Sequence, residues 1–208
     1  IGDIEPLTGP PALLGVAASI GHKIAIAEAN AAGGIKALGG AKVNLVVADS
    51  TSTPTTAGTV AQRLIAQNSV AAILGAFASS LTLAVSEVAE RRGIPLLTMS
   101  FSDRVTGRGF QNVFQDVSKA STLGRAQFDG TLALARAAGE TIERAAILYE
   151  DTAYGTSQAQ GLRDAAKAAG IAVPLTAPVH CACQSANGSY RRPTTPRSPH
   201  STSRSQAT

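Results

Sequence analysis

Four serines stand where two apolar runs give out. Ser79 and Ser80 follow residues 70–74, and Ser100 and Ser102 follow residues 94–99. A hydroxyl needs an adjacent base to become a nucleophile, and no His, Cys or Lys stands at these strand ends. No G-x-S-x-G elbow surrounds the serines either. The chemistry they suit is capture. Free N–H groups at a helix N-terminus, with Ser side chains beside them, gather a small anion such as a carboxylate. The same loop has a simpler reading, in which Ser79 or Ser80 is only a helix N-cap.

The elements that must hold these residues follow from the apolar pattern. Residues 70–74 read as a buried strand, residues 76–80 as a small-residue loop, and the next stretch as an amphipathic helix closed by Gly93. Residues 94–99 then form a second strand. Upstream, residues 1–5 end a first strand, and a helix over 13–32 follows with Ala17, Ile20, Ile24, Ile26 and Ala27 on one broad face. Residues 42–49 alternate as a strand does, and Thr53 with Pro54 opens a helix to Gln67. Downstream come a short strand at 112–115, a helix from Ser121 or Thr122 to Ala138, and a strand at 144–149. A helix at 156–169 and a last strand at 171–176 complete the series.

Strands alternating with helices predict βαβ units, and hence an α/β fold with parallel sheets. Ligands of such sheets bind at the carboxyl ends of the strands. Thr8, Ser50, Ser79, Ser80, Ser100, Ser102 and Tyr154 fall there, with Asp49, Asp103, Glu150 and Asp151 as the acids. No G-x-G-x-x-G follows a strand and no G-x-x-x-x-G-K-[ST] is present, so the nucleotide-binding folds lose support. His22 lies inside the first helix and reads as an ordinary surface residue. The pattern is that of a binder, not an enzyme, with no catalytic residue, cofactor or metal site.

The formal charge of +4 is not spread over the chain. Of the 18 Lys and Arg, four (Arg191, Arg192, Arg197 and Arg204) fall in an acid-free tail, leaving 14 against 14 Asp and Glu before it. Nucleic-acid binding therefore has little support. Both cysteines, Cys181 and Cys183, are in that tail, so nothing earlier is expected to encode a disulfide framework or a metal cluster. No run reads as long and apolar enough to span a membrane. The chain opens on Ile1, so any targeting peptide has been removed or was never included.

Several stretches in order resemble the type I periplasmic solute-binding proteins of ABC importers, in the branched-chain amino-acid (Leu/Ile/Val) group. IGDIEPLTGPPALLG is similar to that family's first strand and loop, and IAIAEANAAGGI to its first helix and exit. VVADSTSTPTTAGTVAQRLI, ILGAFASSLTLAVSEVAERRGIPLL, RGFQNVFQ and ILYEDTAYGTSQAQGL continue the likeness, which covers residues 1–179. The resemblance implies two Rossmann-like α/β lobes that close on a ligand. The first spans 1–120, and an incomplete second spans 121–179. It also implies roles. Ser79 receives the α-carboxylate of the ligand, Ser80 adds a backbone N–H, and the Ser100 carbonyl faces its ammonium. Ser102 binds the α-substituents, Tyr154 lies over the ligand, and Leu14 falls near the side-chain pocket. The implied ligand is leucine, isoleucine, valine or a similar amino acid or amide. The implied partner is an importer's membrane permease, and the implied place is periplasmic or extracytoplasmic, lipid-anchored in a Gram-positive source. The chain is expected to be a monomer without nucleic-acid partners. The alternative is a ligand-sensing domain that controls a signalling or transcription partner.

After residue 179 the likeness stops. Residues 180–208 are rich in Ser, Pro, Arg and Thr and are expected to be disordered. A frameshift or gene-model error is the expected cause, and weak or absent ligand binding the expected consequence. An intact reading frame at the locus, or micromolar affinity for leucine, would overturn these expectations.

Overall fold

The computed structural model describes residues 1–180, so the expectations for the tail beyond His180 lie outside the described residues. Two parallel sheets are present. The first has five strands: β1 (Gly2–Glu5), β2 (Val46–Asp49), β3 (Ile73–Gly75), β4 (Leu96–Thr98) and β5 (Val113–Gln115). Their spatial order is β2-β1-β3-β4-β5. Between them run α1 (Ala12–Ala31), α2 (Pro54–Asn68) and α3 (Ser79–Arg92). The second sheet pairs β6 (Arg144–Glu150) with β7 (Ala172–Val179), and α4 (Ala120–Ala137) and α5 (Ala153–Ala168) pack beside it.

Strand alternation places Ile4, Ile73, Leu96 and Val113 on the face that α2 and α3 cover. There they form one core with Leu64, Leu81 and Val85, in which Ile4, Ile73, Val85 and Leu96 are fully buried. The residues between them in sequence face the other way. Leu74, Leu97 and Phe114 lie side by side in the register of β3, β4 and β5. Leu97, Met99 and Phe114 are 44%, 41% and 52% exposed.

α1 departs from its expected packing. Ile20 and Ile24 are exposed, and only Gly15 and Ser19 are buried along its length. The helix meets β1 through polar groups, and most of its large aliphatic residues stay outside, with Ile26 half-buried. Among the described residues it is also the one helix long and apolar enough to cross a membrane by length and composition, with a mean hydropathy of 1.3. That corrects the expectation of no such run. Lys23 and Glu28 interrupt the stretch to the eye, but the many alanines and isoleucines around them raise the mean.

Most element ends shift by a few residues. The strand expected at 42–49 begins at Val46, because Asn30 holds the preceding backbone by accepting from Val43 N–H at 2.8 Å and donating to its carbonyl at 2.8 Å. Thr53 occupies the N-cap of α2 with Pro54 behind it, but its hydroxyl donates to Thr56 Oγ1 and caps nothing. α4 begins at Ala120 with Lys119 as its N-cap, not Ser121 or Thr122. α5 starts three residues early, at Ala153, because Thr152 Oγ1 accepts from Gly155 N–H at 3.1 Å. α4 and α5 cross at near contact. A Cβ on Gly161 would lie 1.9 Å from the Ser121 carbonyl oxygen, so only glycine fits there.

Candidate functional site

The carboxyl ends of β3 and β4 carry the expected serines, and the start of α5 comes to meet them. Gly75 ends β3 at φ +110°, and a Cβ there would lie 2.1 Å from the Ile4 carbonyl oxygen. Glycine therefore lets the chain leave the sheet against β1. The loop then enters α3 with Ala78 as N-cap and no capping side chain, so neither Ser79 nor Ser80 is the plain N-cap. Both lie inside the first helical turn, where backbone N–H groups lack intrahelical acceptors.

Three of the serines enter one buried network. Ser79 Oγ accepts from Ser102 N–H at 3.2 Å, and Ser102 Oγ pairs with Ser157 Oγ of α5 at 3.0 Å. The Ser100 hydroxyl bonds with Thr82 and, at 2.9 Å, with Thr98. Its carbonyl accepts from Gln115 Nε2 at 2.5 Å. Asp103 extends this bridge by accepting from Ser121 N–H at 3.0 Å at the head of α4. These bonds tie the loop after β4 to both helices of the second sheet.

Ser80 is exposed and lines an open cleft of 350 Å³ with Arg104, Asp151, Thr152, Ala153 and Thr156. The cleft runs between the loop ends of the two sheets. Arg104 and Asp151 give it one cationic and one anionic group, a pair suited to a zwitterion. Asp151 also lies 3.4 Å from His180 Nε2. Tyr154 is half-buried in the first turn of α5, edge-on to Phe101 with ring centroids 5.9 Å apart at 61°. Leu14 is exposed on the first turn of α1.

Sequence reasoning missed Arg104, Thr152, Thr156 and Phe101. Arg104 is two residues beyond Ser102, and Phe101 lies between two named serines, so both sat inside the expected loop. Asp49 turns out to be a brace. Its Oδ1 accepts from the N–H groups of Thr51 (2.7 Å), Leu7 (2.9 Å) and Thr8 (3.3 Å), and its Oδ2 from Thr8 Oγ1 at 2.6 Å. Slight burial pushes the carboxyl up, but these donors together pull its pKa below the ordinary value.

A second polar group lies under α1. His22 is not an ordinary surface residue: its side chain is 20% exposed and its Nδ1 lies 2.9 Å from Oδ1 of the fully buried Asp3. That hydrogen bond raises the imidazole pKa against the opposing effect of burial. Glu5, also fully buried, has its carboxyl pushed up to about 7, chiefly by desolvation.

A periplasmic binding protein family model matches residues 1–184. Leu/Ile/Val-binding protein homolog 8 of Brucella abortus (strain 2308) is 39% identical over 178 residues, which are 84% of this chain and 43% of that protein. Homolog 7 of the same strain is 33% identical over 180 residues, covering 85% of this chain and 44% of its own length. The chain thus spans less than half the length of these curated relatives, which are named as binding proteins and not as enzymes. The branched-chain amino acid transporter substrate binding protein LivJ from Streptococcus pneumoniae, solved with isoleucine, has a TM-score of 0.75 at 23% identity. That match covers 87% of this chain and 49% of LivJ. The leucine binding protein LivK from Thermotoga maritima has a TM-score of 0.72 at 22% identity, covering 88% and 49%. At such identity the two structures establish the fold alone. With the family match over most of its length and curated relatives of the Leu/Ile/Val-binding group, the chain belongs to the periplasmic binding protein family and has its type I α/β fold.

Proposed function

We propose that the chain is part of an extracytoplasmic solute-binding component of an ABC importer, taking a branched-chain or related amino acid between its two sheets and delivering it to a permease. The observation that carries this reading is the cleft in which Arg104 and Asp151 face one space with Ser80, Thr152 and Thr156. A zwitterion needs opposite charges on opposite sides, and hydroxyls to complete the hydrogen bonds of its carboxylate. The name of the Brucella relatives supports the ligand class. The division into a first lobe ending near residue 120 and a second beginning there belongs to the same proposal.

In this reading Ser79 and Ser102 receive the carboxylate, and Ser80 adds an N–H at the head of α3. The Ser102–Ser157 hydrogen bond must open to free the Ser102 hydroxyl. Tyr154 closes over the ligand beside Phe101, the Ser100 carbonyl faces the ammonium group, and Leu14 approaches the side chain. Clamp closure follows from groups on both sheets sharing one ligand.

Calorimetric titration of the full chain with leucine, isoleucine and valine tests the reading. The expected result is saturable binding weaker than micromolar, lost in Arg104→Ala and absent with isoamylamine, which lacks the carboxylate. Equal binding of leucine and isoamylamine, or leucine binding undiminished in Arg104→Ala, would overturn it.

A further inference from the structure

We propose that Asp3, Glu5 and His22 form a binding site for one divalent transition-metal ion, Zn²⁺ by its donor set, on the α1 side of the five-stranded sheet. None of the three lines the cleft between the sheets. Asp3 and Glu5 are two residues apart on β1, so their side chains leave the same face of the strand. α1 lays His22 over them, and one donor atom from each of the three falls within 4.8 Å of the others.

Two observations point to a missing cation. Both carboxylates are fully buried, with His22 as the cationic group paired to Asp3. Glu5 Oε2 accepts from Phe77 N–H at 2.9 Å, but Glu5 Oε1 is buried with no hydrogen-bond partner. Gly75 leaves that oxygen room, since a Cβ there would stand 3.1 Å from it. A buried carboxylate oxygen without a donor is costly unless a charge compensates it.

The chemistry of the donors selects the ion. One imidazole nitrogen and two carboxylate oxygens suit Zn²⁺, with bonds of about 2.0–2.2 Å. Two donors around a tetrahedral ion then stand about 3.4 Å apart. The three donor atoms already lie within 4.8 Å of one another, so loading draws them in by about 1 Å. Ser19 Oγ donates to Asp3 Oδ2 at 2.6 Å, as an outer-shell group does when it orients a ligating carboxylate. The partly exposed edge of His22 gives the ion a route in. On loading, His22 Nδ1 exchanges its hydrogen bond to Asp3 for the metal. Protons compete for the same atoms, so affinity rises with pH.

The test uses the full chain carrying Cys181→Ser and Cys183→Ser, which removes the two thiols as competing ligands. After treatment with EDTA and its removal, ZnCl₂ is titrated calorimetrically at pH 7.5 and the melting temperature is followed. Binding of one ion with a higher melting temperature is expected, along with loss of both effects in His22→Gln and in Glu5→Gln. Ser19→Ala should weaken binding about tenfold. No Zn²⁺-dependent heat or melting shift in the parent, or undiminished binding in both His22→Gln and Glu5→Gln, would overturn the assignment.

Discussion

The two faces of the five-stranded sheet are built from the same strands and have opposite fates. On the α2–α3 face, Ile73 and Leu96 are fully buried beneath Leu81 and Val85. On the α1 face, one residue along in each strand, Leu97 and Phe114 stay about half exposed, and β1 presents Asp3 and Glu5. Alternation makes both rows apolar at β4 and β5, so the pattern asks for cover on both sides. α2 and α3 supply it on one side. α1 contacts β1 on the other and leaves the strands farther along uncovered. Chemistry also separates the faces. The covered face is mainly an aliphatic core, whereas the α1 face concentrates buried charge and a hydrogen-bonded histidine.

Leucine truncation tests this contrast most strongly. Leu96→Ala should cost about 2–5 kcal/mol by leaving a cavity in the covered core. Leu97→Ala, its neighbour on the open face, should cost about 1 kcal/mol or less, since it buries little area. Urea denaturation of both variants reads the difference, and equal losses would erase the distinction between the faces.

Next in size is the effect of pH on the metal-free chain. The Glu5 carboxyl is pushed from 4.5 up to about 7, so the folded state holds a proton that the unfolded state releases at lower pH. Stability is then greatest below pH 4.5 and falls as pH rises through about 7, by about 3 kcal/mol at roughly 1.4 kcal/mol for each tenfold change in proton affinity. His22 acts in the same direction. Its raised pKa gives stability that is present below pH 6.5 and lost as the pH passes its folded value. Melting temperatures in EDTA should therefore drop between pH 5 and pH 8, and Glu5→Gln should flatten the profile. A melting temperature that rises over this interval would contradict the burial of charge on the α1 face.

Smaller effects sharpen the picture. Gly161→Ala should cost about 1–3 kcal/mol by forcing a methyl group against the Ser121 carbonyl, which loosens the α4–α5 pair without touching either face of the five-stranded sheet. The smallest change in stability is expected from Leu97→Lys with Phe114→Lys, within about 0.5 kcal/mol for each exposed site. That double variant should nevertheless lose most of the ANS fluorescence of the parent, because exposed apolar rows are what the dye binds. Unchanged fluorescence would show that the open face is not the apolar surface in solution.

The α/β class, the parallel sheets and the order of the elements were all legible in the sequence, because hydrophobic period and Gly or Pro punctuation are local properties. Gly93 ends α3 in the left-handed conformation, as expected of a glycine just past a helix. The four serines were legible as strand-end residues for the same reason. Their use was not. Ser102 and Ser157 are 55 residues apart in the chain and meet at 3.0 Å, and the cleft takes Arg104 from one loop and Asp151 from another. His22 looked like a surface residue because a lone histidine inside a helix carries little signal. Which side of α1 faces the sheet depends on β1, where Asp3 accepts from Ser19 and bonds with His22. Periodicity and backbone chemistry act within a few residues, so they specify which segments become strands and helices and which rows seek cover. Which row is covered, which acids share a site and which hydroxyls are already bonded emerge on folding, because they depend on contacts between residues far apart in the chain.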